Sequence, residues 1–122
     1  MPKAKSILVV EDYPETLELF KKLLEVEGYV VTPAASGEQA LELVSHKSFD
    51  LIVLDIMLPR VDGFEVCRRT KADPKTKKIP VIAVTAFDVP NIADRCQAVG
   101  ANEVVLKPFE PGRLIAVLKK YL

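Results

Sequence analysis

Acidic, hydroxyl and basic residues stand at the ends of successive apolar runs in this chain, and their types suggest a shared chemistry. Asp55 closes the unbroken run of residues 51–54 and precedes Ile56-Met57-Leu58-Pro59. Glu11 and Asp12 follow a run at 7–10, Thr85 ends one at 80–85, and Lys107 follows one at 103–106. Carboxylates gathered in one crevice repel: two like charges ~4 Å apart at an effective dielectric of ~20 cost roughly 4 kcal/mol. A hard divalent cation offsets that repulsion, and Mg²⁺ in particular takes a few carboxylates together with water and phosphate oxygens. Lys107 adds another positive charge, so the charge of three acids is matched and a phosphoryl dianion can enter without a large penalty. One carboxylate is then free to act as nucleophile while the others hold metal.

Each of these residues also has a plain structural reading. Asp55 can end a strand and bond a loop amide. Asp12 and Glu15 have the offset of a helix-capping pair around Pro14, and by spacing alone Asp12 reads as a cap. Thr85 reads as a β-branched strand residue, Lys107 as a surface lysine, and Glu11 by itself says little. What separates the two readings is whether the fold brings all of them to one place.

Apolar runs alternate with helical patterns from one end of the chain to the other, which is the signature of an α/β sheet. The run at 51–54 does not alternate, as suits a central parallel strand buried on both faces. Strands are expected at 7–10, 29–34, 51–54, 80–85 and 103–106; Pro33 puts the second of them at an edge, since it cannot donate to a ladder. The first helix carries Leu17, Phe20, Leu23 and Leu24 on one face and ends at Gly28, a left-handed cap. Ser36 with Gln39, and Asp62 with Glu65, are capping pairs for the second and third helices; the second buries Ala40, Leu41 and Val44, and the third ends before Asp73-Pro74. Pro90 starts the fourth helix, which turns Ile92, Cys96 and Val99 inward and is capped by Gly100. Pro111 starts the fifth, with Leu114, Val117, Leu118 and Tyr121 inward and Lys119 and Lys120 at its negative end. Five strands and five helices with strand two at an edge predict a flavodoxin-like doubly wound parallel sheet in the order 2-1-3-4-5. In that order strands one and three are neighbours, and the switch point between them brings Glu11 and Asp12 beside Asp55.

Over essentially its whole length the chain resembles the receiver domain of two-component response regulators. The resemblance rests on Glu11-Asp12, on Asp55-Ile56-Met57-Leu58-Pro59 with Asp62-Gly63, on Thr85-Ala86 and on Lys107-Pro108-Phe109. It implies that Asp55 accepts a phosphoryl group from a histidine kinase or histidine phosphotransfer protein, and that Glu11, Asp12, Asp55 and the Met57 backbone carbonyl hold Mg²⁺. Thr85 and Lys107 then contact the phosphoryl oxygens, and Lys107-Pro108 is a cis peptide. The implied protein is not an enzyme acting on a separate substrate, though it promotes its own phosphorylation and dephosphorylation. Its effectors would read the face formed by helix four, strand five and helix five. Met57 and Phe87, two residues beyond Asp55 and Thr85, would flank the path of the water that hydrolyses the acyl phosphate. One departure matters: three residues before the strand-five lysine the family commonly has Tyr or Phe, and here stands Val104, which has no ring to change rotamer.

Composition narrows the classes. The 122 residues suit one domain spanning 1–122, and 17 basic against 17 acidic side chains give zero net charge. Neutrality argues against a general nucleic-acid or membrane-surface binder, so partners must be recognised by local patches. The apolar run near the N-terminus is far short of a signal peptide or membrane span, and the expected location is the cytoplasm. Cys67 and Cys96 lack metal or CxxC spacing and read as packing thiols. Two alternatives remain. A pseudo-receiver would keep the fold as an interaction module without taking phosphate, and Val104 leaves room for it. A flavodoxin-type cofactor binder needs glycines and hydroxyls in the first loop, where Glu11-Asp12-Tyr13-Pro14 stands.

Overall fold

Strands rich in Val, Ile and Leu alternate their side chains between two helical layers. The computed structural model describes residues 4–86 and 90–122. In chain order the elements are β1 (Ser6–Val10), α1 (Pro14–Val26), β2 (Val30–Ala34), α2 (Gly37–His46), β3 (Leu51–Asp55), α3 (Gly63–Ala72), β4 (Val81–Ala86), α4 (Ile92–Ala98), β5 (Glu103–Lys107) and α5 (Pro111–Lys119). All pairings are parallel and the sheet order is β2-β1-β3-β4-β5, the expected flavodoxin-like arrangement.

Alternation along the strands builds two cores, one on each face. Ile7, Val9, Leu51, Val53, Ile82 and Val84 pack with Phe20 and Leu24 of α1 and Leu114, Val117 and Leu118 of α5. Leu8, Val10, Ile52, Leu54, Val81 and Ala83 pack with residues of α2, α3 and α4, among them Ala40, Val66 and Cys96. β3 is buried along its whole length, as its unbroken apolar run requires.

Local signals explain the ends of the elements. Gly28 takes φ +93°, and its N–H and that of Tyr29 donate to the Glu25 and Leu24 carbonyls, a Schellman closure of α1. Ser36 Oγ accepts from the Gln39 N–H, while the Gln39 side chain reaches back to the Ala35 N–H. Asp62 caps α3 through the Glu65 N–H, but Glu65 does not return the bond; its carboxylate holds Arg68 and Arg69 instead. Two expectations need correction. Pro90 does not open the fourth helix: Asn91 takes the N-cap position in the left-handed region, and α4 begins at Ile92. Asp12 does not cap α1 either, since Tyr13 occupies the N-cap position and no side chain bonds there.

Lys120 reaches Glu103 at 3.0 Å and Lys119 reaches Glu27 at 3.7 Å, so these lysines tie α5 to neighbouring elements as well as lying at its negative end. Cys67 and Cys96 are buried free thiols, with the Cys67 thiol pushed up to about 11 mainly by burial.

Candidate functional site

The register of the sheet assembles the site. Val10 lies opposite Leu54, Asp55 opposite Val84, and Ala86 opposite Lys107, so the carboxyl ends of β1, β3, β4 and β5 open on one crevice. Glu11 continues β1 by donating its N–H to the Ala34 carbonyl at 3.0 Å, and Ile56 continues β3 by donating to Val84 at 3.2 Å. These bonds hold the backbone on both sides of the switch point.

Three carboxylates meet there. Glu11, Asp12 and Asp55 each offer an oxygen within 4.8 Å of the others. Glu11 is fully buried and Asp55 nearly so. Lys107 Nζ donates to Glu11 Oε1 at 3.2 Å and lies 4.0 Å from Asp55 Oδ2. The Met57 N–H donates to Asp55 Oδ1 at 3.2 Å, and the Asp12 N–H to Glu11 Oε2 at 3.0 Å. Burial above all, and then the Asp55 carboxylate beside it, push the Glu11 carboxyl above its ordinary range against the pull of Lys107.

Two buried oxygens have no hydrogen-bond partner among the described residues: Asp12 Oδ1 and Thr85 Oγ1. An unpaired buried polar atom costs about 1–3 kcal/mol, so a partner for either oxygen would be stabilising. Their chemistry differs usefully, one an anionic acceptor and the other a hydroxyl able to donate. Oxygen donors from Glu11, Asp12 and Asp55 fit a hard divalent cation. The sheet thus brings Glu11, Asp12, Asp55 and Lys107 together, and Thr85 stands near the carboxyl end of β4, the strand next to that of Asp55. The Met57 backbone sits against Asp55, with its side chain exposed to solvent. Phe87 lies outside the described residues. The Lys107-Pro108 peptide is cis.

The loop after Asp55 is fixed by Gly63. Its N–H donates to the Ile56 carbonyl at 2.9 Å, and a Cβ on it would come within 2.5 Å of the Asp55 carbonyl oxygen and the Ile56 Cα. Backbone cannot retreat there as a side-chain tip can. Gly63→Ala should therefore destabilise the fold by about 1–3 kcal/mol, measured by urea unfolding, and a variant as stable as wild type would show that the α3 start can shift freely.

Glu11 supplies a pH dependence with a definite sign. Its carboxyl is raised in the folded chain above the value of 4.5 it has in isolation, so the folded state binds the extra proton. In metal-free protein its contribution is full below about 4.5 and is lost as pH rises through the higher folded value. Glu11→Gln should flatten that decline in a plot of unfolding free energy against pH. Parallel curves for the two proteins would contradict the assignment.

The model of the response regulator receiver domain matches residues 7–119, and the chain belongs to that family. It is 40% identical to the polar-differentiation response regulator DivK of Brucella ovis over 118 residues, covering 97% of this chain and 96% of the relative. Among solved structures it is similar to the signal receiver domain of a signal transduction histidine kinase from Syntrophus aciditrophicus, at 34% identity and a TM-score of 0.92, covering 98% of this chain and 90% of that one. The receiver domain of a sensor histidine kinase from Pseudomonas aeruginosa PAO1, solved with magnesium coordinated in its active-site cleft, is 31% identical with a TM-score of 0.89, covering 98% of each chain.

Sequence reasoning passed over other polar residues. Thr70 Oγ1 donates to Val66 O, and Thr76 Oγ1 to Thr70 O, both buried, which secures the α3–β4 connection. Lys71 donates to the Ile79 carbonyl and to Asn102 Oδ1, and that oxygen also accepts from the Val81 N–H. Thr70 bonds back one turn within α3, as any helical threonine can, and Asn102 lies 21 and 31 residues from Val81 and Lys71, so no sequence motif marks these positions.

Proposed function

We propose that this domain takes a phosphoryl group onto Asp55 from the phosphohistidine of a histidine kinase or histidine phosphotransfer protein, in a Mg²⁺-dependent reaction, and thereby switches partner binding. The observation that carries the reading is the pair of orphaned oxygens, Asp12 Oδ1 just past β1 and Thr85 Oγ1 on β4, the two strands that flank β3 and Asp55. Their need for partners is what a metal and a phosphoryl group together would meet.

Glu11, Asp12, Asp55 and the Met57 carbonyl would hold the metal. Bound there, it would neutralise charge on the acids and on the transferring phosphoryl oxygens. Met57 N–H restrains Asp55 Oδ1, which leaves Oδ2, the oxygen toward Lys107, to attack phosphorus. The O–P bond forms as the P–N bond to the donor imidazole breaks, giving an acyl phosphate and a free histidine. Lys107 and Thr85 Oγ1 donate to the phosphoryl oxygens as charge moves onto them. In-line positioning and charge stabilisation are the main demands of such a transfer, and these side chains answer both.

The acyl phosphate biases a two-state surface, with Thr85 drawn toward it and the α4–β5–α5 face offered to an effector. Val104 lies on that face, partly buried against the core. Its short branched side chain limits how far the change spreads. The domain binds no nucleic acid directly and works in the cytoplasm; among the described residues no helix is long and apolar enough to cross a membrane. It acts on itself, not on a separate substrate.

A pseudo-receiver would keep the fold without the chemistry, and calorimetric Mg²⁺ titration alongside phosphoryl uptake separates the two. We expect wild type to bind one Mg²⁺ and to be modified by a small phosphodonor. Asp12→Ala should weaken the metal by at least about tenfold, a loss of about 1.4 kcal/mol, and slow modification. Unchanged affinity in that variant would remove Asp12 from the site, and wild type that takes neither metal nor phosphoryl group would be a pseudo-receiver.

A further inference from the structure

Outside the acidic crevice, four arginines gather beside α3 and α4. Arg60, Arg68, Arg69 and Arg95 line a groove of about 590 Å³ between α3 and α4, where the facing carboxylates are Asp62 and Glu65. Asp62 is occupied with capping α3. Glu65 is shared: Arg68 grips it with Nε and one terminal nitrogen, and Arg69 holds it with Nε at 2.6 Å. Arg60 is paired at 2.8 Å with Glu38 of α2. Arg68 and Arg69 are each more than half exposed, and two cations on a single carboxylate leave guanidinium N–H groups pointing to solvent.

The remaining surface of the groove is apolar, from Val61, Phe64, Ala98 and Val99. Arg95 lies over the Phe64 ring at 4.4 Å, so the aromatic face in the groove is already covered. A nucleotide base would have no ring left to stack on. Carboxylates on an extended chain meet both features, pairing with planar guanidinium forks while small apolar side chains rest on Val61 and Val99.

We propose that the α3–α4 groove is a docking site for an acidic segment of a partner protein, with Arg68, Arg69 and Arg95 as the recognising cations. The groove shares α4 with the α4–β5–α5 face but takes its other wall from α3 and the loop before it, and none of Glu11, Asp12 and Asp55 lines it. Its recognition of charge is a property of the unphosphorylated chain, so its test does not depend on the chemistry at Asp55.

The probe is a fluorescent Glu-Glu-Leu-Asp-Glu-Leu-Glu-Glu peptide, with its Gln and Asn counterpart as control, followed by anisotropy on the whole chain without phosphodonor. The acidic peptide should bind at least about tenfold tighter than the amide control, and the preference should shrink as salt rises. The double variant Arg69→Gln/Arg95→Gln should lose at least about tenfold in affinity. Backbone chemical shifts on the wild-type protein give a readout that does not depend on the variant folding, and the peptide should move resonances of α3 and α4. Equal binding of both peptides would overturn the proposal. Shifts centred on another surface, or tighter binding of GDP than of the peptide in this groove, would do so too.

Discussion

Asp55→Ala should take up no phosphoryl group and, in metal-free protein, should be at least as stable as wild type. The first half follows from the nucleophile: Asp55 is the carboxylate held between the Met57 N–H and Lys107, and alanine has no oxygen to attack phosphorus. The second half follows from charge. Asp55 is nearly buried next to Glu11, and its presence is one reason the Glu11 carboxyl is raised. Removing it relieves a repulsion of up to roughly 4 kcal/mol at ~4 Å and an effective dielectric of ~20. Against that stand a small void, the loss of one weak backbone contact at 3.2 Å on a residue open to water, and the loss of the long 4.0 Å approach of Lys107, which stays paired with Glu11 at 3.2 Å. Intact mass after incubation with a phosphodonor and Mg²⁺, together with urea unfolding in EDTA, measures both. Stoichiometric modification of the variant would overturn the assignment, and a marked loss of stability would show that Asp55 has a structural role instead.

Lys107→Ala should have the opposite effect on stability and should slow the chemistry without abolishing it. Lys107 is the cation within reach of both Glu11 and Asp55 among the described residues, and Glu11 is fully buried. Without it the acids at β1 and β3 face one another uncompensated, and Glu11 stays protonated to still higher pH. Lys107 is itself about one-third exposed, so water screens part of the pair, and the expected cost near neutral pH is about 1–3 kcal/mol rather than the full value of a buried ion pair. The chemistry loses a preorganised donor to the phosphoryl oxygens, an effect on the order of 10²–10³ in rate. Phosphorylation rates in saturating Mg²⁺ and unfolding curves without it read the two effects separately. A rate within a few-fold of wild type would mean that Lys107 neutralises the acids but does not contact the phosphoryl group.

Much of this was legible in the sequence because local chemistry and global fold agree. Pro33 marks β2 as an edge, and among the described residues β2 pairs with β1 alone. Gly28 announces a left-handed closure and adopts it. The unbroken run before Asp55 demands burial on both faces, and the central strand provides it. Asp12 shows where local reading stops, since its spacing to Glu15 around Pro14 is that of a cap while the fold gives the cap to Tyr13 and turns Asp12 toward the other acids. The deciding term is tertiary: the β1/β3 switch point exists only once the sheet has formed. Pro90 misleads for a related reason, because Asn91 tolerates the left-handed conformation and takes over the start of α4. The arginine groove was invisible to composition, since its cations come from a loop, from α3 and from α4, and the chain's net charge is zero.

The central claim is that Asp55 itself carries the phosphoryl group, and reductive trapping tests it most directly. Wild-type protein is incubated with a small phosphodonor and Mg²⁺, the acyl phosphate is reduced with borohydride, and the digested peptides are mapped by mass. The account predicts homoserine at position 55, formed only when Mg²⁺ was present. Conversion at another acidic residue, or an adduct on the protein with aspartate intact at position 55, would contradict it.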